Sequence, residues 1–472
     1  MRNVVIIGAG PAGLAAAKAA RSGGASVVLL DSSDELGGQF WRHLPSSRPS
    51  LNEKHLHHGW AKFQALTAIL SVDAGVRIVR GAQVWAIDTL EGMRVHAIIG
   101  ESDGTERTHE SFTPDALILA TGAHDRTLPF PGWELPGVFT GGAAQALAKG
   151  ERLAVGQRVI VAGAGPFLLP VAQSLTRAGA RVVGVLEANR FWHLVRGWSP
   201  KPWQLFGAVS KGGELAGYVA GQVRHAIPYR LGRAVIAAHG TERVESVTTA
   251  RLDSDWKPIA GTERSVKVDA VCVSHGFTPR LELAIAAGCA LTAERFVRVD
   301  DRQLTSTPNV YAAGEITGIG GVDLALAEGE IAGSFAAEQT PAASMVRRRR
   351  VFVGFAHRIE AAHGIRPGWT GWLDDATVIC RCEEVTLGEI RTTAQRTQSQ
   401  SLRSLKLSTR AGLGICQGRM CGRTVEALLC SFAPEGVLRD DASSENRPIA
   451  LPLRLGELAD RLHHTTQGKE TS

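Results

Sequence analysis

Four cysteines near the carboxyl end are spaced as two close pairs and could hold a metal centre. The pairs are Cys380 with Cys382, and Cys416 with Cys421. Thiolates of this kind suit either a 2Fe-2S cluster or a structural zinc ion, because both prefer tetrahedral, soft ligands. Zinc sites usually use C-x2-C spacings, which this pattern matches poorly. We therefore favour a 2Fe-2S cluster, with zinc and unliganded thiols as the alternatives.

A glycine-rich turn near the amino end could hold the phosphates of a nucleotide. It reads Gly8-Ala9-Gly10-Pro11-Ala12-Gly13 and joins an apolar strand to an alanine-rich helix. In this pattern the first glycine permits the tight turn, the second lets the backbone approach a pyrophosphate, and the third lets the helix pack on the strand. Asp31 ends the next strand, where its carboxylate can accept hydrogen bonds from ribose hydroxyls. The sequence therefore predicts a dinucleotide site.

A second glycine turn, Gly163 to Leu168, departs from that pattern. Leu168 stands where the third glycine would be, and Pro170 follows two residues later. A branched side chain obstructs close packing of the helix, although Glu187 still ends the following strand as a ribose-binding carboxylate would. We favour a dinucleotide fold kept as a scaffold, and NAD(P) binding is the alternative.

The elements that must position these residues are two βαβ units. The chain of 472 residues has room for two or three domains. Two further apolar strands, at 116–120 and 309–313, lie before and after the second unit in the sequence, and both are expected to join the sheet of the first unit. This order predicts an α/β fold with two Rossmann-like dinucleotide-binding domains, one inserted in the other, followed by a C-terminal region that carries the four cysteines. The predicted boundaries are 1–125 with 270–340 for the first, discontinuous domain, 126–269 for the inserted NAD-binding-like domain, and 346–472 for the C-terminal region.

Composition excludes several classes of protein. The 52 basic residues nearly balance the 46 acidic ones, so no nucleic-acid binding is predicted. The dense basic run at 347–350 is interpreted as a solvated linker or a partner-docking patch. No apolar run is long enough to span a membrane, and we expect a cytoplasmic protein. A redox cysteine pair of the disulfide-reductase kind is missing, which disfavours dithiol chemistry.

Three separated segments resemble the FAD signatures of flavoproteins that contain two dinucleotide folds. They are Asp31 to Gln39 with its Gly37-Gly38 pair, the strand end Ala120-Thr121-Gly122, and Tyr311 to Glu315. The resemblance implies FAD in the first fold. The predicted cofactor-binding residues are Gly8, Gly10, Pro11, Ala12, Gly13, Asp31, Ser32, Gly38, Gln39, Val84, Ala120, Thr121, Gly122, Gly314 and Glu315. The third signature usually ends in aspartate, so the longer Glu315 leaves another nucleotide such as ATP open.

The whole chain resembles the α (large) subunit of heteromeric amine and imino-acid dehydrogenases, which include opine oxidases, hydrogen cyanide synthase and hydroxyproline or proline dehydrogenases. The most specific stretches are 128–138, 377–383 and 406–421. The last two also resemble a small helical ferredoxin domain of the bacterioferritin-associated type. This resemblance implies a small helical C-terminal 2Fe-2S domain at about 374–435, with Cys380, Cys382, Cys416 and Cys421 as its ligands.

This resemblance implies that the substrate binds to a separate FAD-containing β subunit similar to glycine or D-amino-acid oxidases. Hydride would leave the carbon next to nitrogen there, and the α subunit would carry the electrons away. The resemblance also allows FMN at a subunit interface and a small γ ferredoxin-like subunit. No residue of this chain is predicted to be catalytic. The alternative is a stand-alone NAD(P)H-dependent flavin and iron-sulfur reductase.

Overall fold

A computed structural model describes residues 1–48, 53–90, 92–200, 207, 209–399, 401–432, 445–447 and 449–459. The chain divides into two compact units. Unit 1 comprises Met1–Ala123, Pro279–Val353 and Asn446–Ser472, and unit 2 comprises His124–Thr278 and Gly354–Glu445. Parts of the predicted C-terminal region, 433–444 and 460–472, lie outside the described residues.

Unit 1 is built on a parallel sheet whose strands are short runs of valine, isoleucine and leucine. Its elements are β1 (Asn3–Ile7), α1 (Pro11–Ser22), β2 (Ser26–Leu30), α2 (Glu53–Leu56), α3 (Trp60–Val72), β3 (Val76–Val79), β4 (Ala82–Asp88), β5 (Arg94–Ile99), β6 (Thr108–Phe112), β7 (Ala116–Leu119), α8 (Glu282–Ala286), β18 (Val310–Ala312) and α9 (Gly321–Ala336). The five-stranded sheet has the order β18-β7-β1-β2-β3, with all pairs parallel. Strands β4, β5 and β6 form a separate antiparallel sheet.

Helices α1 and α9 of unit 1 pack at very short range because glycines of α9 face the backbone of α1. A Cβ added at Gly329 would lie 2.1 Å from the carbonyl oxygen of Ala12, and one at Gly333 would lie 2.2 Å from that of Ala16. Only glycine fits at such contacts. The position of α1 is therefore tied closely to that of α9.

The end of the described chain covers the β4-β5-β6 sheet of unit 1. Residues 449–458 contribute four apolar side chains that pack against Trp85 and its neighbours Ala86 and Ile98. The amide of Ala450 donates to the carbonyl oxygen of Trp85 at 2.8 Å, and Arg107 forms an ion pair with Glu457. This segment returns to unit 1 after the cysteine-bearing region of unit 2.

Unit 2 contains a second parallel sheet, in the order β12-β11-β10-β16-β9. The elements of its first segment, His124–Thr278, include β9 (Val138–Thr140), α4 (Gly141–Gly150), β10 (Arg158–Gly163), α5 (Leu168–Arg177), β11 (Arg181–Glu187), α6 (Phe191–Trp198), α7 (Val209–Arg224), β12 (Tyr229–Leu231), β13 (Arg233–His239), β14 (Ser246–Arg251), β15 (Arg264–Lys267) and β16 (Ala270–Ser274). Strands β13, β14 and β15 form an antiparallel sheet. The short strands β8 (Ala123–Asp125) and β17 (Phe277–Pro279) pair with each other.

The cysteine-bearing region of unit 2 consists of short elements. They are a 3-10 helix (Pro367–Trp372), β19 (Val378–Cys380), β20 (Val385–Thr386), α11 (Leu387–Thr397), α12 (Leu402–Thr409) and α13 (Gly422–Phe432). Their apolar residues share one core with other residues of unit 2, including Leu128 and Trp256. The rings of Trp256 and Trp372 stack at 6.1 Å, and the Trp372 indole N–H donates to the carbonyl oxygen of Trp256 at 2.8 Å.

The predicted α/β class with two Rossmann-like folds and a small helical C-terminal region is confirmed, whereas the predicted domain boundaries stay a prediction. The linker interpretation of residues 347–350 is wrong, because they belong to helix α10 (Ala343–His363). Arg348 forms an ion pair with Asp323, and Arg349 forms one with Asp301. No helix in the described part of the chain is long and apolar enough to cross a membrane.

Candidate functional site

The first glycine turn lies at the carboxyl edge of the unit 1 sheet, between β1 and the start of α1. A Cβ on Gly8 would lie 2.3 Å from the carbonyl oxygen of Ala120, and one on Gly13 would lie 1.7 Å from that of Gly8. Gly10 precedes the first residue of α1, and Pro11 occupies that first position, where its missing N–H costs no hydrogen bond. The turn therefore leaves room for a phosphate at the helix N-terminus, which a side chain would fill.

Asp31 is buried at the end of β2 and holds the turn in place. Its Oδ2 accepts a hydrogen bond from the amide of Ala9 at 2.5 Å, and its Oδ1 accepts one from the amide of Ser33 at 2.8 Å. A carboxylate oxygen can accept further bonds, so Asp31 remains suited to ribose hydroxyls.

Two further groups of predicted cofactor-binding residues in unit 1 are Ser32 with Gly38 and Gln39, and Ala120 with Thr121 and Gly122. Gly38 lies against the turn, since a Cβ on it would be 3.0 Å from Cα of Gly10, while the neighbouring Ser32 and Gln39 are less buried than Asp31. Thr121, beside Ala120 and Gly122, donates from its hydroxyl to the carbonyl oxygen of Arg280 at 2.9 Å.

Val84 stands apart from these residues on β4. Its side chain is buried in the core with Val5 and Leu30. Two residues earlier, the amide of Ala82 donates to the carbonyl oxygen of Asp31 at 2.8 Å, which connects β4 to the end of β2.

Gly314 and Glu315 lie in the turn that follows β18, next to the first turn of α1. Gly314 has φ of +83°, and a Cβ there would lie 2.9 Å from Cβ of Ala12. The Gly314 amide donates to Oε2 of Glu328 at 2.9 Å. Sequence reasoning missed Glu328; the available signal was a lone acidic residue at a core position of the otherwise apolar stretch 324–329.

In the second glycine turn, groups of the chain itself form hydrogen bonds to the carboxylate of Glu187, which would otherwise be the acceptor for ribose hydroxyls. Glu187 is fully buried. Its Oε2 accepts from the amide of Gly165 at 2.9 Å and lies 3.1 Å from Nδ1 of His363, and its Oε1 accepts from the backbone and side-chain amides of Asn189, both at 3.0 Å. Cβ of His363 is also 4.0 Å from the position of a Cβ on Gly165. The end of α10 therefore covers this turn.

The four predicted ligands all lie in unit 2 and form two hydrogen-bonded pairs of thiols, while no three side chains in the described part of the chain are placed to bind a single metal ion. Cys380 pairs with Cys421, and Cys382 pairs with Cys416. The strand β19 ends at Cys380, and the loop between α12 and α13 brings Cys416 and Cys421 back to it. Two pairs suit a 2Fe-2S cluster, in which each of two irons takes two thiolates.

Hydrogen bonding prepares Cys380 to act as a thiolate ligand. The thiol of Cys421 and the amide of Gly412, whose nitrogen is 3.4 Å from Sγ, lower the pKa of Cys380 to about 6. The same bond to Cys380, together with burial, raises the pKa of Cys421. The pair therefore favours a first ionisation at Cys380, with the Cys421 thiol as donor. Cys382 lies at the surface, and partial desolvation of its thiol raises its pKa.

His124 contacts the loop between Cys416 and Cys421. One of its ring nitrogens, Nε2, is 3.1 Å from the carbonyl oxygen of Arg419, which precedes Cys421 by two residues. His124 and Arg419 are 295 positions apart in the chain, so no local sequence pattern indicates this contact.

The comparisons with known proteins agree with this geometry. Residues 2–199 and 215–340 match the family described as pyridine nucleotide-disulphide oxidoreductase, and residues 378–431 match the BFD-like [2Fe-2S] binding domain. The chain is 33% identical to the HcnB subunit of hydrogen cyanide synthase from Pseudomonas aeruginosa, over 88% of this chain and 90% of that protein. It is 32% identical to an opine oxidase subunit of Agrobacterium tumefaciens, over 98% of this chain and 92% of that protein.

A solved structure shares the fold over almost the whole length. L-proline dehydrogenase from P. horikoshii superposes with a TM-score of 0.67 and 20% identity, covering 97% of this chain and 79% of that one. Identity at this level supports the fold alone. The cysteines at 380, 382, 416 and 421 all lie inside the matched [2Fe-2S] binding region.

Proposed function

The chain belongs to the pyridine nucleotide-disulphide oxidoreductase family, and from this membership we propose that it is the electron-transferring subunit of a heteromeric dehydrogenase. In this proposal a partner subunit oxidises an opine, a D-amino acid or an imino acid at its C–N bond. The observation that carries the proposal is the presence of a [2Fe-2S] binding region in a chain that is 32% identical over 98% of its length to an opine oxidase subunit.

Two cofactors fit the residues present. When bound, FAD accepts an electron pair and can release electrons singly to a one-electron 2Fe-2S cluster. The first glycine turn provides backbone amides at a helix N-terminus for the pyrophosphate, and Asp31 provides acceptors for the ribose. The thiolates of Cys380, Cys382, Cys416 and Cys421 would hold the irons, and the Gly412 amide stabilises negative charge on the Cys380 sulfur.

The second dinucleotide fold is proposed to serve as a scaffold. Glu187 already accepts four hydrogen bonds from Gly165, Asn189 and Tyr229, and a fifth if the His363 ring donates, which leaves little capacity for a ribose. The buried Leu168 begins α5 two residues beyond the position at which α1 begins in the first turn. Electrons are therefore proposed to come from the partner subunit, not from NAD(P)H.

The proposed partner is an FAD-containing β subunit resembling glycine and D-amino-acid oxidases. Further components of the proposal are FMN at the subunit interface and a small γ ferredoxin-like subunit. The cytoplasm is the proposed location, because all seven cysteines are unbridged, as is usual in a reducing compartment.

The test is anaerobic co-purification of a complex through the tagged chain, followed by analysis of its subunits and cofactors. We expect a second, oxidase-like subunit, FAD, and about two iron and two sulfide ions per chain. The complex should reduce a one-electron dye with opines, D-amino acids or L-proline as the donor. Absence of a partner together with rapid bleaching of the flavin by NADH would overturn the proposal in favour of a stand-alone reductase.

A further inference from the structure

The turn after β18 is held by a buried side chain from another element. Glu328 lies on α9 and is 2% exposed. Its Oε2 accepts a hydrogen bond from the amide of Gly314 at 2.9 Å and lies 2.8 Å from the hydroxyl oxygen of Thr317. The single proton of that hydroxyl is shared between Glu328 and the carbonyl oxygen of Gly314, which is also at 2.8 Å. The two contacts bracket Glu315, so the carboxylate of Glu328 holds the backbone at Gly314 and the side chain at Thr317.

The other side of Glu328 faces the arginine run of α10. Nε of Arg349 is 3.7 Å from Oε1 of Glu328, and Nη1 of Arg349 is 3.2 Å from Oδ1 of Asp301. The buried amide of Gln303, oriented so that both of its ends are satisfied, donates to the carbonyl oxygen of Ala312 at 3.1 Å and accepts from Nε of Arg349 at 2.9 Å. Gln303 and Glu328 thus connect Arg349 to both ends of the turn.

A carboxylate at this depth needs compensation. Burial raises the pKa of Glu328, while the hydrogen bonds from Thr317 and Gly314 and the charge of Arg349 act in the opposite direction. Removing one member of a buried ion pair is strongly destabilising, because the other charge is left without compensation. Glu328 and Arg349 are therefore expected to act as a pair.

The same turn contacts the site proposed for the nucleotide. A Cβ on Gly314 would lie 2.9 Å from Cβ of Ala12, in the first turn of α1, and Gly329 lies on the backbone of the same Ala12. Helix α9 therefore brings Glu328 to the turn and Gly329 to the start of α1 from adjacent positions. A shift of Glu328 would therefore change both the turn after β18 and the start of α1, the two places where the cofactor is expected to bind.

We propose that Glu328 and Arg349 are positioning residues for the nucleotide cofactor of unit 1. In this role Glu328 fixes the 313–317 turn that presents Glu315, and Arg349 compensates the charge of Glu328. The inference rests on the proposed assignment of FAD to the first fold and adds to it two residues outside the glycine turn.

The experiment compares the FAD content and FAD dissociation constant of the full-length chain with those of its variants. Glu328→Ala removes both carboxylate oxygens, and we expect FAD to bind about ten-fold more weakly or worse. The buried N–H of Gly314 loses its acceptor, and the hydroxyl of Thr317 keeps only the carbonyl oxygen of Gly314. Glu328→Gln keeps a carbonyl oxygen for both donors and leaves Arg349 its second partner, Asp301, so it should bind FAD within about three-fold of the wild type. Glu330→Gln, a neutral substitution two residues away on α9, is the matched control and should leave binding unchanged.

The ion pair is tested in the same assay. Arg349→Met should weaken FAD binding, and the double variant Arg349→Met with Glu328→Gln should recover it, because both charges are then removed. If Glu328→Ala does not fold, Thr317→Val removes one donor of the same network and should weaken binding by a few-fold.

The outcomes separate the two proposals. Glu328→Ala that melts at a lower temperature but binds FAD as tightly as the wild type below that temperature would show a merely structural role and overturn the inference. An equal loss for Glu328→Gln and Glu328→Ala would also overturn it. A wild-type chain that yields no FAD or other nucleotide on extraction would instead remove the proposed function, and this inference with it.

Discussion

The most direct test of the first glycine turn is the substitution Gly13→Ala. The added methyl group would lie 1.7 Å from the carbonyl oxygen of Gly8. Carbon–oxygen contacts settle at about 3.3 Å, so α1 would have to move away from β1 by about 1.6 Å. Overpacking of this kind costs about 1–3 kcal/mol, and the replacement of glycine by alanine inside a helix returns up to about 1 kcal/mol.

The displacement should be felt most strongly in cofactor binding. Hydrogen bonds from the start of α1 to a pyrophosphate lose their geometry, and each is worth about 1 kcal/mol. We expect the dissociation constant of FAD to rise about ten-fold or more. Titration of the FAD-free chain, followed by flavin fluorescence, measures this constant.

The control is Gly212→Ala in α7, where an added methyl group has no neighbour within 4 Å. This variant changes a helical glycine in the same way without the clash, so FAD binding should be unchanged. If Gly13→Ala binds FAD like the wild type and gains stability like the control, the steric reasoning about the turn is refuted.

Three further predictions concern unit 2. Lys149→Met should raise the free energy of unfolding by up to about 3 kcal/mol at pH 7, because burial, with the charge of Arg177, lowers the pKa of Lys149 from 10.5 to about 8 in the folded chain. Urea unfolding should show this gain shrinking as the pH rises from about 8 to 10.5. A gain that does not depend on pH would contradict this explanation. Cys421→Ser should lose most of the iron and acid-labile sulfide of the wild type while Cys430→Ser retains them, and equal loss in both would count against the ligand assignment. Thr386→Ala removes the side-chain cap of α11 and should lower the free energy of unfolding by about 1 kcal/mol, which denaturant titration of the far-UV signal can measure; an unchanged midpoint would show that the cap contributes little.

The first glycine turn was predictable because its constraints are local. Strand, turn, helix and Asp31 all fall within residues 3–31, and the need for glycine at 13 follows from a contact with Gly8 inside that stretch. Glycine at 8 is required by Ala120, which follows the neighbouring strand β7 and is remote in sequence. Spacing therefore predicts most, but not all, of the geometry of the turn. The site assignment itself stays a prediction until the cofactor is measured.

The network around Glu328 was not predictable from spacing. Arg349 lies 48 residues beyond its partner Asp301 and belongs to a run that composition alone presents as solvent-exposed. Arg350 is indeed exposed, whereas Arg349 reaches inward to Glu328. Which arginines turn inward depends on how α10 is placed, and that is a tertiary property.

The second glycine turn also depends on a long-range contact that the sequence pattern does not reveal. Leu168 and Pro170 were enough to disfavour a nucleotide there. What fills the place beside Glu187 is His363, which is 176 residues further along the chain. Sequence patterns indicate that a site is impaired, but they do not identify the group that occupies it.

The covering of Trp85 by residues 449–458 has a consequence for synthesis. These residues leave the ribosome after all four predicted cluster ligands, so the apolar face around Trp85 stays bare until translation has passed the cysteine-bearing region. Completion of the amino-terminal fold is thereby delayed until the iron ligands are available. A stop codon after residue 432 would produce a chain with every predicted ligand and an uncovered, aggregation-prone sheet.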